Sequence, residues 1–301
     1  MKIVMIDAFK PEYLQYAPYL SSLTKKFQWG ELKMPLGFEG GMETFFSGKS
    51  DKLALLYKKE NSSLKFIKYF SFLDRFGKIG RLAADCLINL PRFMKGYALF
   101  RTGNIPLNRL GEFEFSVRKP FHKIKGIKYK YIGDLDVIGH KYGTKSKEII
   151  SAIKKVDINL SKMKFDIILS DHGMIDIKKT VSVPETEECM IDSTFARYWG
   201  KKPDFDSKDG KWIKIEDRKY GEYVFLANPG VLIFPNYWQG KTAAKAMHGY
   251  NSECTDMNGI YIINKEGNKK NLEVEKLHKI FVEMKNDRTG NSSQIQNGGF
   301  E

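Results

Sequence analysis

The feature that most constrains the fold of this chain is the alternation of short apolar segments with amphipathic helical segments. Apolar residues at helical spacing predict helices, most clearly over 145–163 and 272–284. Because strands that alternate with helices form parallel sheets covered on both sides, we expect an α/β fold, with a mostly parallel central sheet and helices on both faces. The strands are predicted at 1–7, 128–136, 165–171, 222–234 and 259–267.

A basic and aromatic segment interrupts this alternation. From Lys58 to Arg101 the chain has ten Lys or Arg against three acidic residues, with eight Phe or Tyr between them, and several of its apolar residues repeat at helical spacing. We expect three parts: an α/β core from 1–50 and 126–285, an inserted helical cap at 51–125, and a polar, disordered tail at 286–301.

The charge of the chain favours anionic partners. Lys and Arg outnumber Asp and Glu by 50 to 36, a net charge of +14, which suits phosphates or anionic lipid. No nucleic-acid recognition motif is present, so we expect no specific nucleic-acid binding. The segment 58–101 has two interpretations, either a cap packed over the core or a surface that contacts a membrane or a lipid-linked phosphate.

The cysteines and the N-terminal segment bear on localisation. Cys86, Cys189 and Cys254 are widely spaced without a CxxC pair, which suits a reducing compartment. The first apolar segment meets an acid at Asp7, and is therefore too short for a signal peptide. We expect a cytoplasmic protein, with peripheral membrane attachment as the alternative.

Three predicted strands end in an acid: Asp7, Asp136 and Asp171. One such Asp is usually a cap or turn residue, but three at equivalent positions are harder to explain structurally. In α/β sheets, functional groups gather where strands reach their carboxyl edge. His172 directly follows Asp171 in the stretch SDHGM, so we expect a polar site at this edge.

Two further histidines extend this pattern. His140 follows Asp136 by four residues, one helical turn, and His248 precedes a glycine in MHGYN. Carboxylate and imidazole ligands without thiolates suit zinc or manganese. Three Asp and three His are enough for two three-ligand sites, and a pair of divalent ions is a common device for displacement at phosphorus.

The motifs MIDAFKPEYL, DLDVIGHKYG, SDHGM and MHGYN, in this order, resemble the type I phosphodiesterase/nucleotide pyrophosphatase family of the alkaline phosphatase superfamily. The resemblance implies an alkaline-phosphatase-like fold and two bound divalent ions, usually zinc, with manganese as the alternative. It also implies hydrolysis of phosphodiester or pyrophosphate bonds. The implied ligands are Asp136, His140 and His248 for one ion, and Asp7, Asp171 and His172 for the other.

The chain departs from the family at the nucleophile. The family has a Thr or Ser about ten residues before a glycine that corresponds to Gly48, and counting back reaches Phe38. Three interpretations follow: Thr44 is the nucleophile, metal-bound hydroxide attacks with Glu39 as metal contact or general base, or the site binds phosphate with little turnover. In each case, the glycines around Glu39, including Gly40, suit a close approach of the backbone to an anion.

One arginine outside these motifs is a candidate for substrate binding. In DSTFARYWG (192–200), Arg197 could reach a phosphate, whereas the alternative is a packed helix. We expect a two-metal hydrolase that acts on a phosphorylated small molecule or a lipid-linked phosphate. The alternatives are a phosphomonoesterase of the same superfamily, and a catalytically weak, metal-dependent protein that binds phosphate ligands.

Overall fold

The structure is a computed structural model in which residues 1–38, 40–49, 52–95, 97, 99–116 and 126–289 are described. The α-helices are α1 (Pro18–Thr24), α2 (Gly40–Ser47), α3 (Gly77–Met94), α4 (Leu107–Leu110), α5 (Asp134–Tyr142), α6 (Lys147–Ser161) and α7 (Val274–Thr289). Segments of 3-10 helix cover Pro11–Tyr16, Lys65–Phe76, Arg218–Tyr220 and Thr255–Met257. Within the described ranges, no helix combines the length and the apolar character needed to cross a membrane.

The strands are short and fall into several sheets. They are β1 (Lys2–Ile6), β2 (Phe27–Lys33), β3 (Leu56–Lys58), β4 (Phe113–Phe115), β5 (Lys128–Ile132), β6 (Ile167–Leu169), β7 (Ile175–Asp176), β8 (Lys179–Val181), β9 (Cys189–Ile191), β10 (Phe195–Tyr198), β11 (Gly210–Ile213), β12 (Tyr223–Ala227), β13 (Val231–Ile233), β14 (Ala246–Met247), β15 (Gly259–Glu266) and β16 (Leu272–Glu273).

The central sheet has the strand order β16-β2-β15-β6-β1-β5. Strand β1 pairs in parallel with β5 and β6, and β16 pairs in parallel with β2. Strand β15 runs antiparallel to both of its neighbours. The predicted mostly parallel sheet is therefore confirmed, and the neighbours β5, β1 and β6 all end at the same edge.

Helices cover both faces of this sheet, as the alternation along β1 shows. Val4 and Ile6 point to one face, where they pack with buried residues of α1, α5 and α6. Ile3 and Met5 point to the other face, where they pack with residues of α2 and α7. Since successive residues of a strand face opposite sides, an apolar run such as this one is typical of a strand buried on both faces.

The inserted segment forms a helical unit that packs on a second sheet. This sheet is antiparallel, with the order β11-β12-β10-β9. Ile67 of the 3-10 helix and Ile88 of α3 share one hydrophobic cluster with Met190 and Phe225 of the sheet. The helical insert is therefore held by apolar packing, and the division of the chain at 51 and 125 stays a prediction.

Three sequence predictions of local structure were wrong. The segment 192–200, one interpretation of which was a helix, contains strand β10, whose residues are buried on both faces and so lack an amphipathic pattern. The strand predicted to reach 136 ends at Ile132, because α5 begins at Asp134 after Gly133. Helix α7 runs to Thr289, past the predicted boundary at 285, and the rest of the predicted tail, 290–301, lies outside the described residues.

Candidate metal centre

Two loops at the carboxyl edge of the sheet bring the first acids together. Asp7 follows β1 and Asp171 follows β6, and these strands are parallel neighbours. The buried hydroxyl of Ser170 joins the loops, since it accepts a hydrogen bond from Phe9 N at 2.8 Å and donates one to His172 O at 3.0 Å. The loop geometry is thus fixed by a residue that the sequence analysis did not single out.

Helix α5 carries the third acid to the same edge, because it directly follows β5. Asp136 and His140 lie one turn apart, with Nε2 of His140 3.1 Å from Oδ1 of Asp136. The Nδ1 of His140 lies 2.8 Å from Ala246 O. The backbone carbonyl of His140 accepts a hydrogen bond from Lys245 N. These contacts fix β14 against α5 and place Nε2 of His248 3.6 Å from Oδ1 of Asp136.

The three imidazoles lie side by side. The rings of His172 and His248 are stacked, with centroids 3.7 Å apart and planes 8° apart, and the centroid of His140 lies 5.3 Å from that of His248. The Nε2 of His172 lies 3.2 Å from Oδ1 of Asp7 and 3.8 Å from Oδ2 of Asp171. The structure therefore brings all six predicted ligand residues into one cluster.

Two groups of three in this cluster have ligand atoms within 4.8 Å of one another. The group Asp7, Asp171 and His172 matches the predicted second site. The other group has Asp136 and His248 with His172, where the resemblance implied His140. His140 nevertheless contacts the same Asp136 oxygen, so His172 lies between the two groups and His140 lies at their edge.

The donor and acceptor chemistry of the cluster fits bound cations. The Nδ1 atoms of His140 and His172 face the backbone carbonyls of Ala246 and Gly173, which can only accept hydrogen bonds. In the neutral imidazoles, Nε2 is then an acceptor that faces a carboxylate oxygen of Asp136 or Asp7. A cation between two such acceptors satisfies both, as in metal sites where backbone carbonyls fix the histidine tautomer.

Atoms without hydrogen-bond partners point to the same conclusion. Among the described residues, Oδ1 of Asp7, Oδ1 of Asp136 and Nδ1 of His248 are buried and make no hydrogen bond of acceptable geometry. Buried polar atoms without partners are costly. The ligand set therefore fits divalent ions that prefer oxygen and imidazole nitrogen.

Burial and neighbouring charges raise the pKa of some residues of the cluster and lower that of others. Burial raises the pKa of Asp171 to about 8. Burial also disfavours charge on His172, but the carboxylates of Asp171 and Asp7 outweigh it and raise its pKa to about 10. Burial and the two neighbouring imidazoles hold the pKa of His248 well below its usual value. Such displaced groups, gathered in a cleft, are typical of functional sites.

The cluster opens into a cavity of about 870 Å³ whose remaining wall is largely apolar and aromatic. Tyr131, on β5, lines this cavity and donates a hydrogen bond from its phenol to Oδ2 of Asp7. Arg92, Leu99 and Phe100 of the inserted segment also line the cavity. The sequence analysis missed Tyr131, although its position in the strand that leads to the Asp136 helix could have indicated it.

Phe38 lies in this cavity against the histidines. Its ring centroid lies 5.1 Å from that of His248, edge to face, and 5.1 Å from that of Phe195. Gly249 has a φ of +83°, and a Cβ there would lie 2.4 Å from the Phe38 ring. The position to which the family resemblance assigns a hydroxyl is thus occupied by a phenyl ring, and the adjacent glycine makes room for it.

The candidate nucleophile lies elsewhere. Thr44 is completely buried in α2, and it is not among the described residues that line the cavity, so its position contradicts the prediction of an attacking hydroxyl. The reason is the start of α2 at Gly40, which turns the side chain of Thr44 into the packed face. Glu39 lies outside the described residues.

The prediction that Arg197 contacts substrate is wrong. Its side chain is completely buried in β10, with Nε 2.8 Å from Oδ2 of Asp192 and a hydrogen bond to Leu56 O at 2.7 Å. Arg197 therefore supports the second sheet from within. Its partner Asp192 lines the cavity and also accepts a hydrogen bond from Trp238 Nε1 at 2.9 Å.

The chain has an alkaline-phosphatase-like α/β fold, with parallel strands that end at a cavity lined by Asp and His. A family model described as type I phosphodiesterase/nucleotide pyrophosphatase matches residues 118–276, more than half of the chain. The chain belongs to this family, as its motifs predicted. A comparison with curated protein sequences gave no match.

Three solved structures, of two proteins, share the fold. The chain is similar to murine ectonucleotide pyrophosphatase/phosphodiesterase 5 in two structures. One is an inactive variant in complex with AMP (15% identity, TM-score 0.65), and the other is the murine protein itself (14% identity, TM-score 0.65). It is also similar to the human protein of the same name (14%, 0.64). Each comparison covers 99% of this chain and 97% of the other. At these identities, the likeness establishes the fold.

Proposed function

We propose that this protein hydrolyses phosphodiester or pyrophosphate bonds with the help of two divalent ions, zinc in preference to manganese. The observation that carries the proposal is the convergence of three carboxylates and three imidazoles at the end of one cavity. Family membership supports the reaction class, and the unsatisfied acceptors of Asp7 and Asp136 support the presence of cations.

Each of the six side chains has a role in this proposal. His140, Asp136 and His248 hold one ion, Asp7, Asp171 and His172 hold the other, and His172 lies close enough to contact both groups. Two ions held there supply Lewis-acid stabilisation of the charge that develops on the phosphoryl oxygens, and activate water. Tyr131 orients Asp7 by donating to Oδ2, which leaves Oδ1 directed at the cluster.

The attacking group in this proposal is water, and no protein hydroxyl takes part. Phe38 occupies the place where the family resemblance requires a hydroxyl, and Thr44 is buried outside the cavity. The ring of Phe38 packs on His248 and excludes solvent from one side of the cluster. Attack by water on phosphorus in one step inverts the configuration, whereas two steps through a protein hydroxyl retain it.

The ligand in this proposal is a phosphorylated small molecule or lipid with an apolar or aromatic part. A structurally similar protein was solved with AMP, which indicates that the fold accommodates a phosphate beside an aromatic group. The cavity of this chain offers Phe38, Phe100 and Trp238 to such a group. Aromatic rings stack on planar groups and bury apolar chains equally well.

The test compares bis(4-nitrophenyl) phosphate with 4-nitrophenyl phosphate, using protein loaded with zinc or with manganese. We expect faster hydrolysis of the diester, and its loss in Asp171→Asn, which removes a ligand with little change in volume. Faster hydrolysis of the monoester would favour the phosphomonoesterase alternative. A chiral phosphorothioate diester tests the nucleophile, because retention of configuration would contradict attack by water.

Phe38 also supports a second candidate function, a protein that binds a phosphorylated ligand with little turnover. With Phe38 against His248 and Thr44 buried outside the cavity, neither position considered for an attacking hydroxyl supports the covalent route expected for the family. Calorimetry with AMP on the zinc-loaded protein distinguishes the two functions. Tight binding without hydrolysis of either ester would favour the second candidate.

A further inference from the structure

Helix α3 of the insert has two apolar faces where one is expected. Its inner face is buried: Ala84 and Ile88 share a hydrophobic cluster with the second sheet, and Gly80 lies against Leu73 of the preceding 3-10 helix. The helix also carries an exposed apolar stripe, in which 66–80% of each side chain is accessible. At 100° per residue, this stripe lies within an arc of about 80°, separate from the buried face. Its members are Ile79, Leu82, Leu90 and Phe93.

The preceding 3-10 helix continues this apolar surface. Tyr69, Phe72 and Phe76 are 83%, 53% and 62% exposed. Ten of the fifteen large apolar side chains that are exposed among the described residues lie between Phe66 and Leu99. Exposed apolar residues normally occur singly, so a concentration of this kind marks a binding surface. We call the exposed side chains of 65–95 and of Leu99 the docking face.

The charge of the docking face has one sign. Residues 65–95 carry seven Lys or Arg and two acids, Asp74 and Asp85. Both acids are engaged within the fold, since Asp74 pairs with Arg81 at 3.0 Å and Asp85 accepts a hydrogen bond from Thr102 N at 2.7 Å. The exposed charges are basic, namely Lys65, Arg75, Lys78 and Lys95.

We propose that the docking face binds the surface of an anionic lipid bilayer. Apolar side chains flanked by Lys and Arg, on a helix that lies flat on the molecule, are the features of an interfacial helix. The apolar side chains enter the boundary of the acyl chains while the basic ones remain among the anionic headgroups. A second copy of this chain is a poor occupant, because it would place the same positive charges face to face.

The docking face is continuous with the cavity of the candidate metal centre. Arg92 and Leu99 line the cavity, and Leu90 and Phe93 of the exposed stripe are neighbours of Arg92 along α3. A bilayer bound to the docking face therefore lies beside the cavity. If the proposed hydrolase function holds, this arrangement favours substrates whose phosphate is linked to a lipid.

The test measures co-sedimentation of the full chain with vesicles. We expect binding to phosphatidylcholine vesicles that contain about a third phosphatidylserine, and binding at least tenfold weaker to phosphatidylcholine alone or at high salt. The double variant Leu82→Asp/Phe93→Asp should bind the anionic vesicles at least tenfold more weakly. The control is Ile158→Asp, which changes an apolar residue on α6 that is 58% exposed, and it should bind like the wild type.

The outcomes separate this proposal from the proposed function. Absence of vesicle binding, or equal binding by the double variant, overturns the docking proposal whatever the activity. Equal binding to neutral and anionic vesicles overturns the role of the basic residues. If the wild type does not bind vesicles but self-associates in analytical ultracentrifugation, and the double variant does not self-associate, the surface would be assigned to a second copy of the chain. Hydrolysis of a soluble aryl diester should be unchanged in both variants. If neither the wild type nor the variants hydrolyse it, only the proposed hydrolase function is contradicted.

Discussion

Replacing Arg197 with methionine should destabilise the protein strongly while leaving the candidate metal centre in place. The side chains of Arg197 and Asp192 are both buried and joined at 2.8 Å. Removing one partner of such a pair costs about 3–5 kcal/mol, because the other charge is left in an apolar environment. Trp238 still donates a hydrogen bond to Asp192, so we expect the lower end, about 3 kcal/mol.

The pH dependence of this loss follows from Asp192. Burial raises its pKa in the wild type, and Arg197 opposes that rise. An acid whose pKa is higher in the folded state favours folding least when it is ionised, so its contribution falls as the pH rises through that pKa. Without Arg197 this pKa rises further. The deficit of the variant should therefore be smaller at acidic pH, where Asp192 is protonated, and should grow as the pH rises and Asp192 ionises.

Urea unfolding measures the effect directly. We expect a loss of about 3 kcal/mol in the free energy of unfolding, which corresponds to a fall in Tm of about 5 °C. The control Arg218→Met removes an exposed arginine and should change stability by less than about 0.5 kcal/mol. Adding Asp192→Asn to Arg197→Met should recover most of the loss, since the amide oxygen still accepts from Trp238. A loss below about 1 kcal/mol, combined with a raised KM for a phosphodiester, would refute this reasoning.

Three further substitutions test the site. Thr44→Val removes a buried hydroxyl outside the cavity, so hydrolysis should stay within about twofold of the wild type and stability should fall by about 1 kcal/mol. Loss of turnover would restore Thr44 as a candidate nucleophile. Tyr131→Phe removes the donor to Asp7 and should weaken metal affinity about 10–100-fold in a chelator competition, whereas unchanged affinity would exclude a role in orienting this ligand. Gly249→Ala places a methyl group against the Phe38 ring, at a residue whose φ is positive. We expect about 1–2 kcal/mol of destabilisation and weaker ion binding. A stable variant with normal ion content would contradict this packing argument.

The sequence predicted the parts of the site that depend on local pattern. Asp7 and Asp171 end apolar strands, and parallel neighbours bring their ends to one edge. The spacing of Asp136 and His140 predicted one helical turn, and the structure has that turn in α5. Asp136 was expected at a strand end and lies on a helix, but the order β5, then α5, leads to the same edge.

The parts that depend on tertiary packing could not be predicted. Strand β10 is short and buried on both faces, so no alternation distinguishes it from a packed helix. The pairing of Arg197 with Asp192 depends on the turn between β9 and β10, which spacing alone does not reveal. Likewise, Phe38 meets His248 only because distant loops converge, and a count of residues showed the missing hydroxyl without showing what replaces it.

The most direct test of the central claim is the metal content of the full chain. The protein should be loaded with zinc or manganese, desalted and analysed by mass spectrometry of the metals, together with the variants Asp136→Ala and Asp171→Ala. We expect close to two ions per chain in the wild type and about one in each variant, because each removes a ligand of a different group. A wild-type chain that retains no ion, or variants that retain as many as the wild type, would contradict the claim that these six side chains hold two cations.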